Sequence, residues 1–203
     1  MGRGARPIRL PPHPPGLRIG LFGGSFDPPH EGHLLVSRLA LTRLRLDRLW
    51  WLVTPGNPLK DALKLAPLST RLAAARRLAR DPRIVVCDIE AQLQLRYTVD
   101  LIDYLLRHCP GVRFVWIMGT DNLVEFHRWR RWEKILSTVP VAAIDRPGTN
   151  LKALGAKAMR RSAGALIPAT ALHRLASARP PALAIIRGPR SGVSSTALRA
   201  MLP

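Results

Sequence analysis

Six short apolar runs constrain this chain most strongly. Each closes on a glycine, proline or aspartate, and segments of helical periodicity separate them. They are RIGLFG (18–23), DRLWWLVTP (47–55), RIVVCD (83–88), VRFVWIMG (112–119), VPVAAIDRPG (139–148) and ALAIIRG (182–188). Runs this short and this apolar read as buried strands. Between the first two, the leucines of HLLVSRLALTRL recur at three- and four-residue spacing, which predicts a helix over 31–44. A helix capped by Ser69 and stopped by Asp81-Pro82 is expected over 69–80, and another over 98–108. LVEFHRWRRWEKIL (123–136) reads as one helix, 151–180 as a helix and a loop, and SSTALRAML (194–202) as a last helix.

Parallel neighbours in a sheet need a crossover of a dozen or more residues, usually a helix. The alternation therefore predicts an α/β fold: a single domain with a doubly wound, Rossmann-like parallel sheet and helices on both faces. Residues 17–203 form the expected domain. Residues 1–16, MGRGARPIRLPPHPPG, carry charge and proline without an apolar stretch and are expected to be a disordered tail.

The net charge is +19, from 32 Lys plus Arg against 13 acids. Nucleic-acid binding is one reading of such a balance, and an arginine-rich chain with a site for small anions is the other. In RLALTRLRLDRLW and TRLAAARRLARDPR the arginines alternate with Leu and Ala at helical spacing, as on solvated helix faces. No basic run is interleaved with aromatics, so no specific nucleic-acid partner is expected. No apolar run approaches the roughly 20 residues of a membrane span. Cys87 and Cys109 lie far apart without metal-ligand spacing and read as buried thiols in a reducing compartment, the cytoplasm. The pattern carries no sign of oligomeric state.

In an open α/β sheet, ligands gather outside the carboxyl ends of the strands, where strand order reverses. That directs attention to 23–33, 54–60, 90–98, 119–122 and 145–148. At the first of these, GGSFDPPHEGH runs from strand through a glycine turn into a helix. Gly23 and Gly24 have no Cβ to hold a ligand away from the backbone N–H groups. A helix N-terminus favours phosphate. His30 and His33, three residues apart, share a face of the first turn, and Gly32 lies between them. Two imidazoles so placed can donate to one polyphosphate. A metal site and a purely structural pair are the other readings, although HEGH lacks the i, i+4 spacing of a zinc helix.

GGSFDPPHEGH resembles the nucleotidyltransferase signature G-x-F-D-P-x-H-x-G-H, and VSSTALR (193–199) resembles its partner motif I-S-S-T-x-I-R. GTDNLVEFHRW, RYTVDLIDYL, TPGNPLK and DRPG are similar to blocks of the bacterial nicotinate-nucleotide adenylyltransferases. The likeness spans roughly residues 18 to 200. It implies transfer of AMP from ATP to nicotinate mononucleotide, giving deamido-NAD and pyrophosphate, with Mg²⁺ accompanying the ATP. It also implies that His30, His33 and Arg199 are catalytic. ATP would be bound by Gly23, Gly24, Ser25, Phe26, the two histidines, Asp121, Ser194, Ser195, Thr196 and Arg199. Asp121 would reach a ribose hydroxyl, with a helix cap as the alternative. Asp27 would stabilise the loop, with metal ligation as the alternative. On the acceptor side, Trp129 would stack on the pyridine ring and Tyr97 and Thr98 would read its carboxylate. Lys60 and Arg146 would bind that carboxylate or the mononucleotide phosphate. Arg130 and Arg96 depart from the family pattern, which often has an aromatic residue and a serine there. Sibling enzymes that use nicotinamide mononucleotide or phosphopantetheine as acceptor, or that transfer a cytidylyl group, are the alternatives within the superfamily. A basic nucleic-acid-binding protein is the alternative outside it.

Overall fold

The computed structural model describes residues 8–56, 65–145 and 153–188. Its strands are β1 (Arg18–Gly24), β2 (Arg48–Val53), β3 (Ile84–Cys87), β4 (Arg113–Gly119), β5 (Val141–Ile144) and β6 (Leu183–Ile186). All six are parallel and lie in the order β3-β2-β1-β4-β5-β6. The chain builds outward from β1 in one direction, then returns to its other side with β4. The order therefore reverses between β1 and β4, and a crevice opens at their carboxyl ends. Gly24 pairs with Val53 and Gly119 with Ile144, so neighbouring strands end nearly level.

Helices cover both faces: α1 (Glu31–Arg43), α2 (Leu68–Leu78), α3 (Ile89–Gln92), α4 (Thr98–His108), α5 (Thr120–Glu125), α6 (Trp132–Thr138) and α7 (Lys157–Arg161). Alternate strand residues feed two cores. Leu21, Trp50, Trp116 and Met118 join Leu101, Ile102, Leu105 and Leu136 on one face. Phe22, Trp51, Ile117 and Ile144 join Val36, Ala40, Leu72 and Leu175 on the other. The runs are apolar throughout because both faces are buried.

Four sequence expectations change. From Ile8 the segment set aside as tail lies on the molecule. Arg9 N–H donates to Gln92 Oε1 at 2.9 Å, His13 meets Trp50 edge-on, and Leu10 packs on the core. Its prolines limit the conformations available to the unfolded segment, so little contact is needed to hold it. The second helix starts at Leu68 from a Pro67 N-cap, not from Ser69. A short extra turn, α3, follows β3. The single helix expected over 123–136 is broken: α5 runs into a 3₁₀ turn at Phe126–Arg128, and Arg131 has φ 52° before α6 begins. The break lets the Phe126 ring meet both Trp129 and Trp132 edge-on, and a continuous helix would not bring residues six apart, Phe126 and Trp132, together. The expected helix over 194–202 lies outside the described residues.

Candidate active site

β1 delivers the glycine turn to the crevice. A Cβ on Gly23 would lie 3.1 Å from Trp116 Cη2, and one on Gly24 would lie 3.4 Å from the Phe26 ring. The space the glycines leave is therefore occupied by aromatic rings from either face, in addition to the backbone approach expected of them. Phe26 takes φ 49° and its side chain is fully buried. It stacks on Trp51 at 4.9 Å and lies 4.6 Å from the His33 ring. Through its side chain Phe26 packs against His33.

His30 is the N-cap of α1 and His33 its third residue, and both are buried. Gly32 N–H donates to His30 Nδ1 and His30 N–H donates to His33 Nδ1, each at 3.1 Å. This is a capping box in which imidazoles replace the usual Ser and Glu. A ring nitrogen that accepts cannot carry a proton, so each neutral imidazole holds its proton on Nε2 and keeps one N–H donor outside the cap. The ring centroids are 4.0 Å apart. One turn on, Ser37 Oγ–H donates to His33 O at 2.7 Å, and Trp51 Nε1–H donates to Ser37 Oγ at 2.8 Å. Strand β2 thereby holds the histidine-bearing turn from beneath.

Asp27 Oδ2 accepts the Ala66 N–H at 3.1 Å, in keeping with the loop-stabilising role expected for it. Across the crevice, Asp121 occupies the first turn of α5, whose N-cap is Gly119. Asp121 is thus near the positive end of that helix but is not its cap.

Of the residues expected on the acceptor side, Tyr97 and Trp129 pack against the first core. Tyr97 is the N-cap of α4, without a side-chain cap, and Thr98 is its first residue. Trp129 is half-buried and meets Trp116 at 6.1 Å and 81°, and Phe126 at 5.2 Å and 78°. The Arg130 guanidinium sits 4.6 Å over the Tyr97 ring, so the residue that departs from the family pattern joins these two segments. Lys60, Arg146, Ser194, Ser195, Thr196 and Arg199 lie outside the described residues.

Sequence reasoning missed Ser37, Trp51, Arg71 and Glu90. Arg71 is buried with its guanidinium on backbone carbonyls. Glu90, after β3, is buried, and desolvation raises its carboxyl to about 7. Arg71 lies in a run whose arginines read as a solvated helix face, and Glu90 lies in a helix of four residues, too short for periodicity to place it, so nothing local distinguishes either from the solvated charges around it. Among the described residues, no three His, Cys, Asp or Glu gather as metal ligands would, and no helix is long and apolar enough to cross a membrane.

A 3-2-1-4-5-6 parallel sheet with an imidazole-bearing helix N-terminus at its switch point defines a nucleotide-handling α/β protein. Residues 21–201 match the cytidylyltransferase-like family model. A relative from Methylorubrum extorquens, named "Probable nicotinate-nucleotide adenylyltransferase", is 58% identical over 183 residues, which is 90% of this chain and 99% of that one. One of the same name from Brucella abortus is 50% identical over 183 residues, 90% of this chain and 94% of its own. The chain belongs to the nicotinate-nucleotide adenylyltransferase family within the cytidylyltransferase-like group. The fold is shared with Plasmodium falciparum nicotinic acid mononucleotide adenylyltransferase. Its APC complex has TM-score 0.68 at 18% identity, covering 92% of this chain and 84% of that one. Its NaAD complex has TM-score 0.65 at 19% identity, covering 90% and 82%.

Proposed function

We propose that this enzyme transfers AMP from ATP to nicotinate mononucleotide, forming deamido-NAD and pyrophosphate for NAD biosynthesis in the cytoplasm. The observation that carries the reading is the imidazole capping box at the β1 end of the switch point. The high identity to relatives of that name supports the acceptor.

A phosphate oxygen of the mononucleotide attacks the α-phosphorus of ATP. The new P–O bond forms as the bond to the β-phosphate oxygen breaks, and pyrophosphate leaves with that electron pair. The attacking phosphate is ionised at neutral pH, so the protein's task is positioning and charge stabilisation. His30 and His33 perform the second part through Nε2–H. Their Nδ1 atoms are committed to backbone donors, so the rings are oriented before substrate arrives. Ser25 and the Gly23–Gly24 backbone line the same turn, and Asp121 faces the ribose. Ser194, Ser195, Thr196 and Arg199 bind the β- and γ-phosphates. Trp129 stacks on the pyridinium ring. The unpaired N–H groups at the start of α4, with the Thr98 hydroxyl, meet the ring carboxylate. Lys60 and Arg146 complete the anion contacts.

The donor set fits a MgATP complex. Two neutral imidazoles and a glycine turn offer N–H donors, leaving phosphate oxygens to hold the cation. When bound, Mg²⁺ neutralises charge on the triphosphate.

The test is an acceptor panel with MgATP, containing nicotinate mononucleotide, nicotinamide mononucleotide and phosphopantetheine, with products separated by chromatography. Deamido-NAD formed with the highest kcat/KM is expected. Faster turnover of phosphopantetheine would overturn the reading.

A further inference from the structure

Arg71 differs from the other arginines of α2. It is 2% exposed. Its Nε–H donates to Ala66 O at 2.8 Å, and Nη1 donates to Ser25 O at 2.7 Å and to Thr54 O at 2.8 Å. Nη2 lies 3.4 Å from Pro55 O. Every one of these acceptors is a backbone carbonyl. Burial depresses the Arg71 pKa, and the charge of Asp27 opposes that effect.

The four carbonyls belong to three segments. Ser25 lies in the turn that carries Phe26 and leads to His30. Thr54 and Pro55 leave β2 for the segment that contains Lys60. Ala66 leads into α2, and its N–H is held by Asp27. Thr54 N–H also donates to Gly24 O at 3.0 Å, so the β1–β2 ladder continues past the strands. A buried cation carries a large desolvation penalty, and apolar packing at such a site often stabilises as well or better. A planar guanidinium supplies something packing does not: donors in a rigid fork that hold several carbonyls at set distances.

We propose that Arg71 is a positioning residue for adenylyl transfer, its guanidinium locking the carbonyls of Ser25 and Thr54 so that the histidine turn after β1 and the segment after β2 keep a fixed separation. The proposal rests on the assignment of the first to the ATP side and the second to the acceptor side.

The experiment compares the full chain with Arg71→Lys and Arg71→Ala. It reads melting temperature, kcat, both KM values, and MgATP affinity by calorimetry without acceptor. Lysine keeps the charge without the fork. Arg71→Lys is expected to melt near the parent while kcat falls about 10-fold or more and both KM values rise, since a misplacement near 1 Å can cost about 100-fold. Arg71→Ala is expected to lose more, and millimolar guanidinium ion should restore part of its kcat at a temperature where it is folded. Parent-like kcat and KM values in Arg71→Lys would overturn the proposal. So would an Arg71→Ala whose activity loss only follows its unfolded fraction and does not respond to guanidinium. If Arg71→Ala does not fold, Arg71→Lys decides alone. A parent that makes no deamido-NAD defeats the functional reading instead. MgATP affinity then still tests the brace, with a loss of about fivefold or more expected in Arg71→Lys and no loss refuting it.

Discussion

Glu90 makes a sharp prediction about stability and pH. The residue is 8% exposed, and desolvation of its carboxyl lifts the pKa from 4.5 to about 7. In the unfolded chain it ionises near its ordinary value. Between those two values the folded state binds more protons than the unfolded state, so stability falls as pH rises. The loss begins above the unfolded pKa and levels off above the folded one. A tenfold change in proton affinity is worth about 1.4 kcal/mol, so the full amplitude is about 3 kcal/mol, of which roughly 2.5 kcal/mol falls between pH 5 and pH 8. Glu90→Gln keeps the shape and removes the titration. Urea unfolding, followed by the fluorescence of the buried tryptophans Trp50, Trp51 and Trp116, should show the variant gaining on the parent by roughly that amount from pH 5 to pH 8. Other titrating groups cancel in the difference, and any fixed cost of the amide shifts all points equally. A constant difference across that range would refute the argument, because it would mean that the carboxyl is not desolvated as its burial implies.

Three further outcomes follow from the site. His33→Ala removes one half of the capping box, a loss of about 1 kcal/mol, yet kcat should fall at least ~100-fold if a charge-stabilising donor is gone; a large drop in melting temperature with near-normal turnover would return the histidines to a structural role. Ser37→Ala leaves the Trp51 indole N–H without its acceptor, and urea denaturation should record a loss of about 1–3 kcal/mol; no change would mean that the Trp51–Ser37–His33 chain carries no load. Trp129→Ala should raise KM for nicotinate mononucleotide roughly 10-fold, in line with about 1–2 kcal/mol of ring stacking, and leave KM for ATP within about twofold; an equal rise in both would place Trp129 in general packing.

Much of this protein was determined locally and was therefore legible in the sequence. Apolar runs this short, closed by Gly, Pro or Asp, read as buried strands rather than helices, and all six form where the pattern puts them. The spacing of His30 and His33 brings both to the start of α1, as N-cap and third residue. Where local pattern and packing disagreed, packing prevailed. Leu123, Phe126 and Ile135 read as one helix, but Phe126 meets Trp132 as well as Trp129 edge-on only because the chain breaks and Arg131 turns left-handed. The prolines before Gly16 suggested a free tail, yet Leu10 and His13 find a surface that exists only once β2 and α3 are in place. The tertiary structure also decided how the histidines act. The spacing allowed a shared phosphate face, but the bonds to Gly32 and His30 N–H choose the tautomer, and Trp51, reached through Ser37 from another strand, holds the turn. Arg71 shows the limit most clearly. In the sequence it is one arginine among many on amphipathic helices. Its partner Ser25 is 46 residues away, and no local rule marks such a pair, because a buried charge is defined by the carbonyls that several distant segments bring to it.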